Sequence, residues 1–262
     1  MHIARHRKSL ITYAVKIVER RRADYLFDGV QGEFLEGEIM IESTKKHLPH
    51  VLHIVQAVSD RTYYYLITKY MTGGNLCEYM RHVRLRPDHD IEAVAKRIIK
   101  QVACGLQELH RENIVHRDIK SLNILMDSTR PDAKAYIADF GISIKLESFT
   151  QKLSYMIGTN GFIAPEVLQG KYYSFSCDIW SLGCLMHRIL TQESPFWDDD
   201  SAVRLNKILN DELDFDAQPN LRKLSEPGRA ILLAMLEKDP EKRPSIREIY
   251  RHRWFDGFDA YQ

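Results

Sequence analysis

Apolar and polar positions near the start of the chain follow the short-range pattern of β-strands. Residues 10–18 (LITYAVKIV) and 63–70 (YYYLITKY) are rich in β-branched and aromatic side chains, and residues 49–58 (PHVLHIVQAV) form a third such run. Between the first and third runs, residues 23–46 are acidic and compatible with a helix. The pattern predicts a small, strand-rich region that contains one helix.

The pattern becomes helical after the turn sequence TGGN at residues 72–75. In residues 91–110, apolar side chains recur at helical spacing and would form the buried face of a helix. Residues 177–190 and 226–239 are also apolar and helical in pattern. A small strand-rich part followed by a larger helical part predicts an α+β fold with two lobes, and a crevice between lobes is a natural ligand site.

Composition narrows the possible partners and locations. The net charge of the 262 residues is +1, which gives no overall attraction to nucleic acid or to an anionic membrane. No apolar run approaches the ~20 residues of a membrane-spanning helix. The four cysteines lack zinc-type spacing and are expected to be free thiols. We therefore expect no nucleic acid partner, no membrane span, and a place in the cytoplasm or the nucleus.

A series of short motifs in the helical half carries the chemistry. The segment IVHRDIKSLNIL (114–125) has the spacing H-R-D-x-K-x-x-N and is followed by ADFGIS, GTNGFIAPE, DIWSLG and DPEKRP. In this order the motifs resemble the signature set of the eukaryotic protein kinase family, of the serine/threonine type. The resemblance extends from Met1 to about Phe255. Some strings are similar to NIMA-related kinases, and others to the calcium/calmodulin-dependent group.

The resemblance implies a bilobal protein-kinase fold over residues 1–262. Residues 1–71 would form a partial N-lobe and the hinge, and residues 72–262 the C-lobe. It also implies ATP and Mg²⁺ as cofactors and proteins as substrates, with regulatory partners unknown.

The resemblance also assigns roles to four residues of the two central motifs. Asp118 would be the catalytic base for the substrate hydroxyl, and Lys120 would contact the transferred phosphate. Asn123 and Asp139 would bind Mg²⁺, because this cation prefers oxygen ligands.

Lys16, in the strand sequence YAVKIV, matches the family's phosphate-binding lysine. Its partner should be a glutamate of the following helix, for which the candidates are Glu33, Glu36, Glu38 and Glu42. Glu36 is preferred over Glu38, because an apolar residue, Met40, follows it one helical turn later.

The adenine pocket is also assigned by resemblance. Ala14 and Leu125 would lie on either side of the adenine ring, and Thr68 would be the gatekeeper. The hinge would contact adenine through its backbone, and it comprises Lys69, Tyr70 and Met71.

Two residues favour serine and threonine as acceptors: Lys120, and Thr159 of GTNGF, which in such enzymes bridges the catalytic Asp and Lys. Arg117 is expected to receive an activation-loop phosphate. Candidate acceptors of that phosphate are Ser148, Thr150, Ser154 and Tyr155, with Ser154 or Thr150 preferred. Acidic residues that select arginine in substrates are replaced here by Leu122 and by Asn75 or Leu76, so a strict requirement for arginine is not expected.

Three further residues are expected to be structural. Glu166 should form a buried pair with Arg243, and Asp178 should hold the catalytic loop through backbone amides.

An ungapped alignment on Lys16 places Met1 just after the expected glycine-rich loop. The sequence is therefore expected to be an N-terminally truncated form of an active kinase. The alternative is a catalytically weak kinase-fold scaffold, and the retained catalytic residues favour the enzyme.

Overall fold

The alternating residues at the start of the chain fold into an antiparallel sheet. The computed structural model describes residues 1–20, 35–85 and 90–258. Four strands have the spatial order β1-β2-β4-β3. They are β1 (His2–Arg5), β2 (Thr12–Glu19), β3 (Ile54–Ser59) and β4 (Tyr63–Lys69). On β2, Ala14 pairs with Thr68 and Lys16 pairs with Leu66 of β4. Because side chains alternate along a strand, Ala14 and Lys16 point to the same face of the sheet.

Two strand boundaries differ from the sequence prediction. Residues 6–11 form a turn in which the amide of His6 bonds to the carbonyl of Ile11, so β2 begins at Thr12 and pairs with the unpredicted strand β1. The run at 49–58 becomes a strand only from Ile54, because Val51 and Leu52 instead contact Ile137 of the large lobe. Tertiary contacts therefore override the local pattern at these two ends.

Helix α1 (Leu35–Lys45) packs beside the sheet. It lies within the predicted acidic segment, and its acidic first turn and Lys45 in the last turn complement the helix dipole. Ile39 and Met40 are buried and join the core. Glu33, one of the candidate partners of Lys16, lies outside the described residues.

Helices form most of the large lobe. They are α2 (Leu76–Arg84), α3 (Ile91–Arg111), α4 (Pro165–Leu168), α5 (Ser176–Thr191), α6 (Ser201–Asn210), α7 (Pro219–Arg222), α8 (Glu226–Met235) and α9 (Ile246–Tyr250). Helices α3 and α5 pack together at the centre, where Leu106, Trp180 and Leu182 are buried. Each such side chain contributes about 1.5–3 kcal/mol of burial free energy. Trp254 is also buried. The predicted α+β arrangement of two lobes is confirmed.

Two small hairpins carry the polar loops of the large lobe. Strand β5 (Ile114–Val115) pairs with β8 (Ile144–Lys145), and β6 (Ile124–Met126) pairs with β7 (Ala135–Ile137). A 3₁₀ turn, Ser121–Asn123, leads directly into β6. The segments between these short strands thereby bring residues 116–123 and 138–143 to the crevice below the sheet.

The connection between the lobes is attached to the large lobe at Gly73. Its amide donates to the carbonyl of Met126 at 3.0 Å, and the amide of Met126 donates to the carbonyl of Gly74 at 2.9 Å. A Cβ atom at position 73 would lie 2.2 Å from the backbone oxygen of Ser128, so only glycine fits. Throughout the ranges that the structure describes, no helix has the length and apolar character needed to cross a membrane.

Candidate active site

A hydrogen-bonded group of side chains surrounds Asp118, in the loop between β5 and β6. Lys120 Nζ lies 2.7 Å from Asp118 Oδ2, and Thr159 Oγ1 donates to Asp118 Oδ1 at 2.6 Å. Lys120 also donates to Thr159 Oγ1 at 2.7 Å, and Asn123 Nδ2 donates to Asp118 Oδ2 at 2.8 Å. The carboxylate of Asp118 is therefore fixed by three different side chains.

The backbone of this loop is held from below by Asp178, in the first turn of α5. Its carboxylate accepts the amides of His116 at 2.9 Å and Arg117 at 2.8 Å, and it also contacts His110 Nε2 at 2.9 Å. Burial alone would raise the pKa of Asp178, but the contact with His110 and the hydrogen bond from the His116 amide hold it below its usual value. Asp178 thus stays ionised inside the core and orients the loop.

Lys16 connects the two lobes through a pair of carboxylates. Its Nζ lies 2.6 Å from Glu36 Oε1 and 2.6 Å from Asp139 Oδ1. Glu36 is therefore the helix glutamate that contacts Lys16 in this structure. Asp139 has a φ of 66°, a left-handed conformation that Asp tolerates better than most residues.

Burial and pairing act against each other on these three groups. Burial lowers the pKa of Lys16, but Glu36 and Asp139 outweigh it and the net pKa is raised. Burial raises the pKa of Glu36, and Lys16 offsets only part of that rise. For Asp139, Lys16 outweighs burial and the pKa is lowered. Lys16 and Asp139 are thereby kept in their charged forms.

A cavity of about 200 Å³ lies between the sheet and the polar loops. It brings together Lys16, Glu36, Thr68, Asn123, Leu125 and Asp139, with Met1, Met40, Leu52, Leu66, Leu122 and Ala138 completing its lining. Ala14, Lys69 and Met71 do not line it. A wider depression of about 830 Å³ lies beside Phe175 in the large lobe, but it lacks the convergence of Lys16 with Asp139 and Asn123.

Oxygen atoms of Asn123 and Asp139 fit a hard divalent cation. The amide nitrogen of Asn123 donates to the backbone and side chain of Asp118, which leaves its side-chain oxygen as the atom available for a cation. In the described part of the chain there is no cluster of three or more His, Cys, Asp or Glu residues that would hold a metal. A cation here would depend on this amide and carboxylate, and on oxygens from a ligand.

Comparison with protein families matches residues 2–255 to the protein kinase domain. The chain belongs to the protein kinase family. This assignment agrees with the order of motifs in the sequence and with the two-lobed fold, because the matched segment includes the sheet and nearly all of the large lobe.

Several curated relatives are similar to this kinase over most of its length. It is 31% identical over 93% of its residues to calcium/calmodulin-dependent protein kinase type 1 from Macrobrachium nipponense, covering 67% of that protein. It is 32% identical over 91% to serine/threonine-protein kinase PLK4 from Drosophila virilis, covering 29%. It is 31% identical over 92% to calcium-dependent protein kinase 4 from Plasmodium falciparum (isolate 3D7), covering 44%. The chain thus spans between 29% and 67% of these three relatives.

A buried ion pair, Glu166 with Arg243, lies in the large lobe outside the cavity. Arg243 binds Glu166 in bidentate fashion, with both N–O distances 2.7 Å, and both side chains are almost fully buried. Arg243 also donates to the carbonyls of Ser176, Glu237 and Lys238. The pair therefore fixes α4 to the segment before α9.

Two histidines of the site have roles that the motif pattern did not reveal. His116 Nδ1 accepts the amide of Asp118 at 3.2 Å, and its ring contacts the buried Phe140 edge to face at 5.2 Å. Burial lowers the pKa of His116. His110 lies at the end of the apolar face of α3. Its partner Asp178 is distant in sequence, so motif spacing could not predict their contact.

Arg117 already has partners in this structure. Its Nε donates to the carbonyl of Ile142 at 2.6 Å, and its Nη1 lies 3.4 Å from the hydroxyl of Tyr173. Ser148 Oγ and Thr150 Oγ1 lie 3.1 Å apart in the loop that follows β8. Phosphorylation of this loop, with Arg117 as the receiving cation, stays a prediction.

Proposed function

We propose that this chain is a serine/threonine protein kinase, which transfers the γ-phosphate of ATP to serine and threonine hydroxyls of proteins. The observation that carries the proposal is the arrangement of Asp118, bonded to Lys120 and Thr159, beside a cavity lined by Lys16 and Asp139. A base with its lysine thus lies beside a cavity that holds a second lysine and a second carboxylate, and these are the groups that phosphoryl transfer requires.

Asp118 acts as the base for the acceptor hydroxyl. The hydroxyl oxygen forms the new bond to the γ-phosphorus, and the bond from that phosphorus to the bridging oxygen breaks, its electron pair leaving with ADP. The hydroxyl proton passes to Asp118, whose carboxylate is held by Thr159 and Asn123. Lys120 balances negative charge at the transferred phosphate.

The small lobe binds the nucleotide. Lys16 contacts its phosphates and is oriented by the buried Glu36. Ala14, Leu125 and Thr68, with the backbone of Lys69 to Met71, are the residues that would hold the adenine ring. Of these residues, Thr68 and Leu125 line the cavity, which supports their part in the adenine site.

Asn123 and Asp139 are the residues that would hold Mg²⁺. When bound, Mg²⁺ neutralises negative charge on the phosphate oxygens. Asp139 remains ionised beside Lys16, and Asn123 is oriented by its two bonds to Asp118. Contacts within the chain thus hold both side chains in the charge state and orientation that Mg²⁺ binding requires.

Two features support serine and threonine as acceptors. Thr159 and Lys120 bond to each other and to Asp118, as the sequence resemblance to serine/threonine kinases implies. One relative is named a serine/threonine-protein kinase.

The four cysteines are free, which fits a reducing compartment, and we place the protein in the cytoplasm or the nucleus.

The test is transfer of radiolabelled phosphate from ATP, with Mg²⁺, to generic protein substrates. Asp118→Asn should lower kcat by about 10²–10⁴-fold, because it removes the base while keeping its shape. Asp139→Asn should lower it comparably. Acid hydrolysis of the product should give phosphoserine and phosphothreonine.

Asp132→Asn is the matched control, since Asp132 is exposed and, within the described ranges, pairs only with the exposed Arg130. Its activity should equal that of the unaltered protein. Equal incorporation by the unaltered protein and by Asp118→Asn at saturating ATP would favour a catalytically weak scaffold instead.

A further inference from the structure

A small cavity with two arginines opens beside the loop that carries Asp118. It has a volume of about 170 Å³ and lies between helix α2, the 3₁₀ turn at Ser121 and the end of α5. Its lining residues are Leu76, Cys77, Met80, Arg81, Ser121, Arg188, Ile189 and Gln192. Leu76, Met80 and Ile189 are buried and form an apolar floor. A charged ligand in this cavity would therefore be partly shielded from water.

Neither guanidinium has a carboxylate partner among the described residues. Arg81 is exposed and makes no side-chain hydrogen bond there. Arg188 is half-buried, and the single hydrogen bond that its side chain makes to described residues is long, with Nη1 3.4 Å from Ser194 Oγ. Two cations that face one partly apolar cavity without counter-ions repel each other, so an added anion would be stabilised by both.

The nearby carboxylates are engaged elsewhere. Glu78 accepts the amide of Asn75 in the capping box of α2, at 3.0 Å. Glu193 accepts from Gln218 Nε2 at 3.2 Å, and Asp198 pairs with Lys207 at 2.8 Å. Within the described residues none of these carboxylates pairs with Arg81 or Arg188, so both guanidinium groups keep donors for a ligand.

The cavity lies next to the residues that face the acceptor. Ser121 directly follows Lys120, which bonds to Asp118. On the other side, Ser194 contacts Arg188 and is the closest neighbour of Gly161, where a Cβ atom would meet Ser194 Oγ at 3.1 Å. Gly161 belongs to the segment that begins with Thr159. A polypeptide whose hydroxyl reaches Asp118 would thus pass between these two loops, within reach of both arginines.

We propose that Arg81 and Arg188 bind an acidic side chain of the substrate protein, close in sequence to the phosphorylated serine or threonine. The inference rests on the proposed function and names its substrate class: acidic rather than basic segments. Guanidinium groups bind carboxylates through paired N–H donors, and the apolar floor limits solvent screening.

The experiment compares short serine peptides that differ only in charge. Each carries Asp, Ala or Lys at one position within four residues of the serine, and a fluorescent label reports binding by anisotropy. The same peptides are assayed for phosphate incorporation. We expect Asp to exceed Lys by about tenfold in affinity and in kcat/KM at one or more positions.

Charge reversal locates the effect. Arg188→Glu and Arg81→Glu should each lower binding of the best Asp peptide about tenfold and improve binding of its Lys counterpart, while the Ala peptide changes little. Arg188→Gln should weaken the preference without reversing it, because Arg81 keeps its charge. Arg247→Glu is the matched control, because Arg247 is exposed, lines the separate depression beside Phe175 rather than this cavity, and carries the same charge change.

The two proposals fail in different ways. Peptide binding that ignores charge, or a preference that persists in both reversal variants, overturns the acidic-substrate inference even if phosphate transfer is vigorous. Absence of transfer to every peptide and protein, together with an Asp preference that Arg188→Glu removes, overturns the kinase activity but keeps the acidic-peptide site.

Discussion

The catalytic loop of the large lobe and the Lys16 cluster of the small lobe are held in different ways. Asp178, which anchors the loop, is completely buried and bonds to two backbone amides and to His110. Lys16 and Asp139 bond at 2.6 Å, but their side chains are 30% and 47% exposed. The loop is thus part of a packed core, whereas the cluster is reached by solvent.

This difference separates stability from activity. Breaking a buried charged contact leaves an uncompensated group in the core and costs several kcal/mol. Breaking an exposed one costs little stability, because water replaces the lost partner. We therefore expect changes in the large-lobe anchors to unfold the protein, and changes in the Lys16 cluster mainly to stop the reaction.

The largest effect on stability should come from Arg243→Leu. It leaves the buried carboxylate of Glu166 without its bidentate partner and should lower the free energy of unfolding by about 3–5 kcal/mol. Urea denaturation followed by circular dichroism measures the change. Lys152→Leu breaks the exposed pair with Glu241 and should cost less than about 1 kcal/mol. Similar losses in the two variants would contradict the comparison.

Asp178→Asn should have the next largest effect. The amide keeps the shape of the side chain but loses the charge that two backbone amides and His110 contact, so unfolding should become easier by about 2–3 kcal/mol. The loop around Asp118 should also loosen, which lowers kcat with little change in the KM for ATP. If kcat is unchanged under conditions where the variant is fully folded, the loop does not depend on Asp178.

In contrast to Arg243→Leu and Asp178→Asn, Lys16→Met should affect activity much more than stability. Because Lys16 is partly exposed and Glu36 is able to become neutral, the stability should change by about 1 kcal/mol or less. By contrast, kcat/KM for ATP should fall by about a hundredfold. Lys145→Met is the control, since it removes an exposed partner of Glu42 on the same helix without touching the cavity. A Lys16→Met variant as unstable as Arg243→Leu would remove the distinction.

The smallest effect should appear when pH is varied. Burial lowers the pKa of His116 below its usual 6.5, so the unfolded chain binds that proton first. The stabilising contribution is complete above pH 6.5 and is lost as pH falls below it. Burial lowers the pKa of His187 as well, and its effect has the same sign. The two histidines should therefore lower the urea midpoint from pH 7 to pH 5, and His116→Asn should remove part of that fall. The raised pKa of Glu36 acts with the opposite sign in this range. The raised pKa of Lys16 affects stability only above about pH 10.5.

Much of the fold and the candidate site was predictable from the sequence. Asp118, Lys120 and Asn123 are close together in one motif and therefore lie together on one short loop. The change from strand-like to helical spacing of apolar residues indicated the boundary between the two lobes. The start of β3 at Ile54 was missed, because contacts with Ile137 decide it. The role of His110 and the joint cavity of Arg81 and Arg188 were missed for the same reason, since each depends on partners far along the chain.

The backbone contact at Gly73 ties the connection between the lobes to the large lobe. Because residues 73 and 74 form a ladder with Met126, they move with the strand that carries Leu125. If the crevice opens, the backbone change is therefore expected in the few residues between the end of β4 and Gly73. A bulkier residue at position 73 would clash with the backbone of Ser128 and break the hydrogen bond to Met126. The two lobes would then no longer be held in the orientation that binds the nucleotide.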